Sequence, residues 1–315
     1  ELKLNKLESV CSYAFCQLTG ADSLEEIEDG LHSCIGKLQQ LGARPVDRFA
    51  LSYANSKRPC QLYEDLYHTL PNKFRNESQG RLGPWFTKSV FTVFRLDSTT
   101  ISLCLKISDW AQHPRRKGRI KLHALLNNDP GLPEGIVETG TKLAIERAAL
   151  ILDGLSCGSI VVMGRGYNDY RLFKELTDPR GTFVSRLKDN TKHTLLKDAP
   201  ISEAPQASGG LYEMTFIDLK RKGLGQTKFR VLQWHDETTK RWSKFLTNNR
   251  QRRPQETANL YKDRWQIELF FKQIKQNLKV KSFVDTSENA VMTQIWTTAI
   301  AVIILELLKR RASYK

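Results

Sequence analysis

Residues 91–108 read FTVFRLDSTTISLCLKIS, and the period of this stretch decides the fold class. Apolar and β-branched residues dominate it, and Asp97-Ser98-Thr99 interrupts it, so it predicts two strands, 91–99 and 100–108. RIKLHALLN (119–127) makes a third. Beyond it, residues 142–155 carry a helical pattern, GSIVVM (158–163) reads as a short buried strand, and 182–187 supply a fifth. Strands alternating with helices predict an α/β core over 89–187. The runs LYEMTFIDL (211–219), KFRVLQWHD (228–236) and RWSKFLTN (241–248) have no clear helix among them, so 188–249 reads as a β-rich insertion. The core then resumes over 250–315.

Upstream, residues 1–88 read as a helical domain. Ser23 and Glu26 have capping-box spacing for a helix ending near Gly42. A second helix starts at Asp47, and a third follows Pro59. Arg48, Asn55, Lys57 and Arg58 on the second would be exposed if the pair of helices reads DNA; plain helix packing is the other reading.

The segment after the insertion combines an apolar helical stripe (Leu260, Ile267, Phe270, Phe271, Ile274 and Leu278) with charge. On one continuous helix Tyr261, Arg264, Glu268 and Lys275 would share a sector about 60° wide. That sector is either an ordinary solvated face or a carboxylate framed by phosphate-binding groups. Asp97 is similarly two-valued. It either opens a turn before Ser98, or sits in a strand interior where a metal ion would be its partner.

Forty-nine Lys and Arg stand against 34 Asp and Glu, a net charge of +15 that favours a polyanionic partner. Nine of the basic residues fall between Arg250 and Lys281, with three acids. A second basic cluster, Arg115, Arg116, Lys117, Arg119 and Lys121, reads as a hairpin loop. The six dispersed cysteines make no C-x-x-C pair, which disfavours zinc and points to a reducing cytoplasm. The apolar run Ala299–Leu305 is too short to span a bilayer and reads as a buried C-terminal helix, so no membrane partner is expected. His123 reads as a core or supporting histidine, and Trp234 and Trp242 as anchors of the insertion or stacking platforms for a base.

Taken together, the segments FRLDSTTISLCL, KLHALLNNDPGLPE, GRGYNDYRLF, FVSRLKDN, FLTNN and LYKDRWQIELFFKQIKQNLKVKSFVDTSENAVMTQIW closely resemble transposases of the insertion sequence 4 family. The N-terminal FCQLTGADSLEEIEDGL extends the likeness. The resemblance implies a ribonuclease-H-like core with a β insertion and an N-terminal region that helps bind terminal inverted repeats. It further implies cleavage of double-stranded DNA ends and their joining to target DNA with Mg2+ or Mn2+. A homodimer pairing two ends is implied as well, in the bacterial cytoplasm and on the nucleoid through its DNA. By this resemblance Asp97 and Glu268 are the first and third acids and metal ligands. Tyr261, Arg264, Lys272 and Lys275 would bind DNA. So would Arg165, Tyr167 and the Arg115, Arg116, Lys117 cluster.

Two positions depart from the family pattern. The second acid should precede Arg165-Gly166-Tyr167, and that position is Gly164. Asp169, five residues on, is the possible substitute. Gly140-Thr141-Lys142-Leu143-Ala144 replaces an Asp-Gly-Lys-Val-His-like stretch. Losing one of three metal carboxylates predicts crippled catalysis. The readings left are a transposase disarmed by decay, repurposing or deliberate change, and a DNA-binding descendant without catalysis.

Overall fold

The computed structural model describes residues 4–79, 92–102, 119–127, 133–139, 152, 155, 157–177, 181–188, 191, 194–195, 212–218, 228–236, 240–277 and 287–313. Within them the chain is mixed α/β and forms two compact units. One comprises Glu1–Gly83, Thr100–Ile120 and Phe270–Lys315; the other comprises Pro84–Thr99 and Lys121–Leu269.

The first unit is helical: α1 (Lys6–Thr19), α2 (Leu24–Ser33), α3 (Ile35–Gln40), α4 (Arg48–Lys57) and α5 (Gln61–Gln79). Asn5 and Glu8 form a reciprocal capping box on α1. Ser23 caps α2 by accepting the Glu26 N–H, but the Glu26 carboxylate takes the Asp22 N–H instead of closing a box. The single helix predicted to Gly42 is divided at Cys34 into α2 and α3. Ile27, Leu31, Leu38, Val46, Leu51 and Ala54 close the core of these helices.

A long C-terminal helix follows at the other end of the chain (Glu288–Ser313, numbered α9 below). It packs with the N-terminal helices: Trp296 lies 5.3 Å from Tyr67 between ring centroids. The Asn289 side chain accepts the Cys60 N–H at 2.9 Å and donates to the carbonyls of Asn55 and Arg58 at 2.8 and 2.7 Å. Its stretch Glu288–Lys309 is long and apolar enough to cross a membrane, yet 72% of its most apolar window is buried in the protein. Burial marks it as a core helix, as the run Ala299–Leu305 predicts.

Of the exposure that the DNA-reading alternative needs at α4, that of Asn55 is not found. Asn55 is 2% exposed, because Leu51, Ala54 and Asn55 form the buried face of the helix. Arg48 pairs with Glu25 at 3.1 Å, and Arg58 donates to the carbonyls of Leu4 and Asn5. Arg48 and Lys57 are exposed, and Lys57 forms no ion pair among those described.

The second unit is built on a sheet whose nine described strands are β1 (Val93–Ser102), β2 (Arg119–Asn127), β3 (Pro133–Thr139), β4 (Ser159–Met163), β5 (Gly181–Arg186), β6 (Thr194–Leu195), β7 (Tyr212–Asp218), β8 (Lys228–Asp236) and β9 (Arg241–Thr247). Their order is β3-β2-β1-β4-β5-β9-β8-β7-β6. β1, β4 and β5 are parallel, and β5 then meets β9 antiparallel, so the strands of the insertion extend the same sheet. Much of the second predicted strand (103–108) and most of the 142–155 helix lie outside the described residues.

Alternation along β1 sends its side chains to two faces. Phe94 and Leu96 join Val161, Met163 and Phe183 beneath α6 (Tyr170–Thr177), whose Leu172, Phe173 and Leu176 complete that layer. Val93, on the opposite face, packs with Ile160, Val162 and Val184 beneath Leu260 and Tyr261. Those two residues come from α7 (Pro254–Lys262), which is followed by α8 (Trp265–Asn277). Asp97 lies on the α7 side, at the end of the parallel strands.

Candidate active site

The helix predicted through Tyr261 and Glu268 is interrupted. α7 stops at Lys262 and α8 begins at Trp265. Between them Arg264 N–H reaches the Tyr261 carbonyl (3.2 Å) and Ile267 N–H the Arg264 carbonyl (3.1 Å), the three-residue spacing of a tightened turn. Arg264 lies in this turn. Its guanidinium reaches β1, donating through Nη1 to Asp97 Oδ2 and through Nη2 to Glu268 Oε1 at 2.6 Å. Two acids 171 positions apart are thus joined by one cation.

The two arms of this bridge differ in weight. The Asp97 and Arg264 side chains are 19% and 17% exposed, whereas Glu268 is 57% exposed. Water screens the Glu268 arm, a spacing-four pair on a helix end, and such pairs contribute little. The Asp97 arm is the consequential one. Burial lifts the Asp97 carboxyl above its ordinary range and Glu268 adds to the lift; Arg264 and the Ser98 N–H, 2.8 Å from Oδ1, pull it back. Burial would lower Arg264, but Tyr261, Asp97 and Glu268 outweigh it and hold the guanidinium charged.

Gly164 stands directly beside this bridge. It ends β4 with its N–H on the Leu96 carbonyl at 3.2 Å. A Cβ built on it would lie 2.6 Å from Asp97 Oδ1 and 3.0 Å from both Cγ and Oδ2. The position named by the sequence therefore faces the first acid.

Asp169 does not take its place. Its carboxylate accepts the Arg171 N–H at 2.8 Å and pairs with Arg171 Nε at 3.5 Å, at the start of α6. Tyr167, predicted to touch phosphate, is 1% exposed and belongs to the interior. Its hydroxyl lies 2.5 Å from His123 Nδ1 and also bonds the Ser98 side chain, next to Asp97. His123 is fully buried, and burial, with Lys121 nearby, lowers its pKa to about 4, so it supports the site as a neutral ring.

The remaining predicted residues are dispersed. Tyr261 is half-buried against Phe245, with ring centroids 4.7 Å apart and Arg264 5.3 Å from its own ring; burial raises its phenol. Arg165 is exposed in the turn after Gly164. Lys272 and Lys275 are exposed on the part of α8 that belongs to the other unit. Arg115, Arg116 and Lys117 lie outside the described residues. Trp234 stacks on Phe245 and carries Lys262 Nζ 4.2 Å from its ring centre; Trp242 is 51% exposed.

Sequence reasoning missed Ser98 and Arg95. Arg95 is 1% exposed and shares the Asp97 face of β1. Its spacing of two from Asp97 was the available signal. The bridging role of Arg264 had a signal too, the spacing of four to Glu268.

Hard oxygen donors such as Asp97 and Glu268 suit magnesium or manganese. As the side chains stand they do not make that site. Among the described residues no group of three or more His, Cys, Asp or Glu is placed to hold an ion. The two carboxylates present are occupied by one guanidinium, and the third position has no side chain.

Residues 88–304 match the family model of the transposase DDE domain, and residues 3–44 match a domain of unknown function, DUF4372. A protein of Sinorhizobium fredii named as a transposase is 27% identical over 281 residues, covering 87% of this chain and 76% of its own length. A protein of Synechocystis named as the transposase of insertion sequence element IS4SA is 25% identical, over 90% of this chain and 78% of its own. Among solved structures, the piggyBac transposase synaptic complex with hairpin DNA overlaps 97% of this chain and 67% of its own, with a TM-score of 0.47 and 10% identity.

Proposed function

The chain belongs to the transposase DDE domain family, of the insertion sequence 4 type, and from that premise we propose that it binds insertion-sequence ends on a ribonuclease-H-like core, with Asp97 and Glu268 as its surviving acids. Transposases of this family are polynucleotidyl transferases and generally use divalent metal ions. The reaction class assigned to this chain is accordingly cleavage of the phosphodiester at an element end and joining to target DNA. Double-stranded DNA is the partner, bound through a basic surface, with a homodimer holding two ends. The division into an end-binding region (1–88), a split core (89–187 and 250–315) and a β-rich insertion (188–249) belongs to the same reading.

One observation carries the assignment of the site: a side chain at 164 would be aimed at the Asp97 carboxylate, at the end of neighbouring parallel strands. Three positions far apart in sequence (97, 164 and 268) converge, and glycine at the middle one leaves the acid set a member short. As they stand, the donors present do not make a metal site. What the chain's own residues support is phosphate attraction by exposed cations and two carboxylates held in register by Arg264.

A second reading, DNA binding without cleavage, is favoured by Arg264 occupying both carboxylates. One experiment separates the two. The chain and its Gly164→Asp variant are compared for Mg2+-dependent cleavage of DNA carrying the cognate end. Cutting by the variant alone supports a disarmed transposase. Cutting by the unaltered chain refutes the role given to Gly164, and binding without cutting by either leaves the DNA-binding descendant.

A further inference from the structure

We infer that residue 164 is a positioning residue for Asp97: glycine there lets the first acid lean into the space a side chain would fill and close on Arg264, which then serves as a resident counter-ion. The inference rests on the site assignment above, but it concerns what keeps the site shut.

Three observations carry it. The Asp97 carboxylate lies where a Cβ at 164 would come within 2.6–3.0 Å of three of its atoms, closer than any real Cβ contact tolerates at the short end. Any non-glycine residue at 164 therefore requires the carboxylate to move. In the position glycine permits, Asp97 accepts from Arg264 Nη1 and from the Ser98 N–H, one donor for each oxygen. The same guanidinium holds Glu268 with its second nitrogen, so both acids of the site share one cation from the protein.

Arg264 lies in the tightened turn between α7 and α8, and from there it reaches Asp97 on β1 and Glu268 on α8. A divalent ion approaching these carboxylates competes with a guanidinium already hydrogen-bonded to each. Position 164 sets the outcome of that competition as well as the number of ligands. An aspartate there adds a donor and also displaces the Asp97 carboxylate from its place beside Arg264.

The inference predicts a gain in ion binding from changes that add no ligand. Mn2+ is the probe, and its binding is followed by electron paramagnetic resonance and calorimetry, independently of any cleavage. Arg264→Gln removes the competitor, and Gly164→Ala displaces Asp97 with Arg264 retained; each should bind Mn2+ at least about fivefold more tightly than the unaltered chain, the lower end of ordinary site–site coupling. Adding Asp97→Asn to either should abolish the gain. Equal Mn2+ affinity in all folded variants, or a gain that survives Asp97→Asn, overturns the inference. Should Arg264→Gln fail to fold, Gly164→Ala carries the test alone. The function reading is tested separately, by cleavage with Gly164→Asp. Tighter Mn2+ without cleavage would sink that reading and keep this inference; cleavage without any Mn2+ gain in Gly164→Ala would do the reverse.

Discussion

His123 shows how one buried side chain ties local chemistry to stability. Its ring is fully buried, with Lys121 nearby, so the charged form is penalised and the pKa falls from 6.5 to about 4; its Nδ1 meets the Tyr167 hydroxyl at 2.5 Å. The folded value is depressed, so its contribution is fully present above pH 6.5. As pH falls from 6.5 to about 4, the unfolded chain takes up a proton that the folded chain refuses, and stability declines. At ~1.4 kcal/mol per pKa unit the loss amounts to roughly 3 kcal/mol. Thermal melts over this window should show the decline, and His123→Gln, which can still bond Tyr167 but does not titrate, should remove most of it. An unchanged slope in the variant would assign the decline to other groups. Reading the sequence placed His123 in a supporting role, because a histidine inside an apolar strand run has few other outlets. It did not place Tyr167 beside it, because Arg-Gly-Tyr after a strand reads as a surface turn. The burial of Tyr167 and its contact with His123 show that the turn folds inward.

At the scale of elements, the parallel strands β4 and β5 approach so closely that one glycine is obligatory. A Cβ at Gly181 would lie 2.6 Å from the Ser159 carbonyl oxygen, a backbone atom that the ladder holds in place. Gly181→Ala should destabilise the protein by about 1–3 kcal/mol in denaturant titration, the usual cost of overpacking. Gly166→Ala, where a Cβ meets nothing within 4 Å, should change stability by no more than about 0.5 kcal/mol. Equal effects at the two positions would contradict the strand pairing. Most strands were legible: β2, β4, β5, β7, β8 and β9 each coincide with a predicted run to within a residue or two, whereas β1 runs through the boundary predicted at 99/100 and β3 and β6 match no predicted run. A short apolar run bounded by turns has only one way to satisfy its backbone in a sheet. The division at Lys262–Trp265 was not legible, since the apolar stripe of Leu260, Ile267, Phe270, Phe271 and Ile274 keeps helical spacing across it.

For the whole molecule, charge makes the testable statement. A net charge of +15 implies that DNA binding displaces many counterions. If six to ten phosphates are neutralised, affinity for a duplex should fall about 10³–10⁵-fold between 50 and 200 mM salt, measured by fluorescence anisotropy. A shallow dependence would remove DNA as the partner. The helical unit carries a consequence of another kind, in the order of its making. Asn289 completes the hydrogen bonding of the α4–α5 junction from 229 residues downstream of Cys60, and Trp296 packs on Tyr67 from the same late helix. At about 5–20 residues per second, a ribosome needs roughly 10–45 s to deliver that helix after the junction has been synthesised. During this interval the N-terminal helices have the core they build among themselves but lack the contacts of Asn289 and Trp296. The final packing of the α4–α5 junction therefore waits on a helix made long after it.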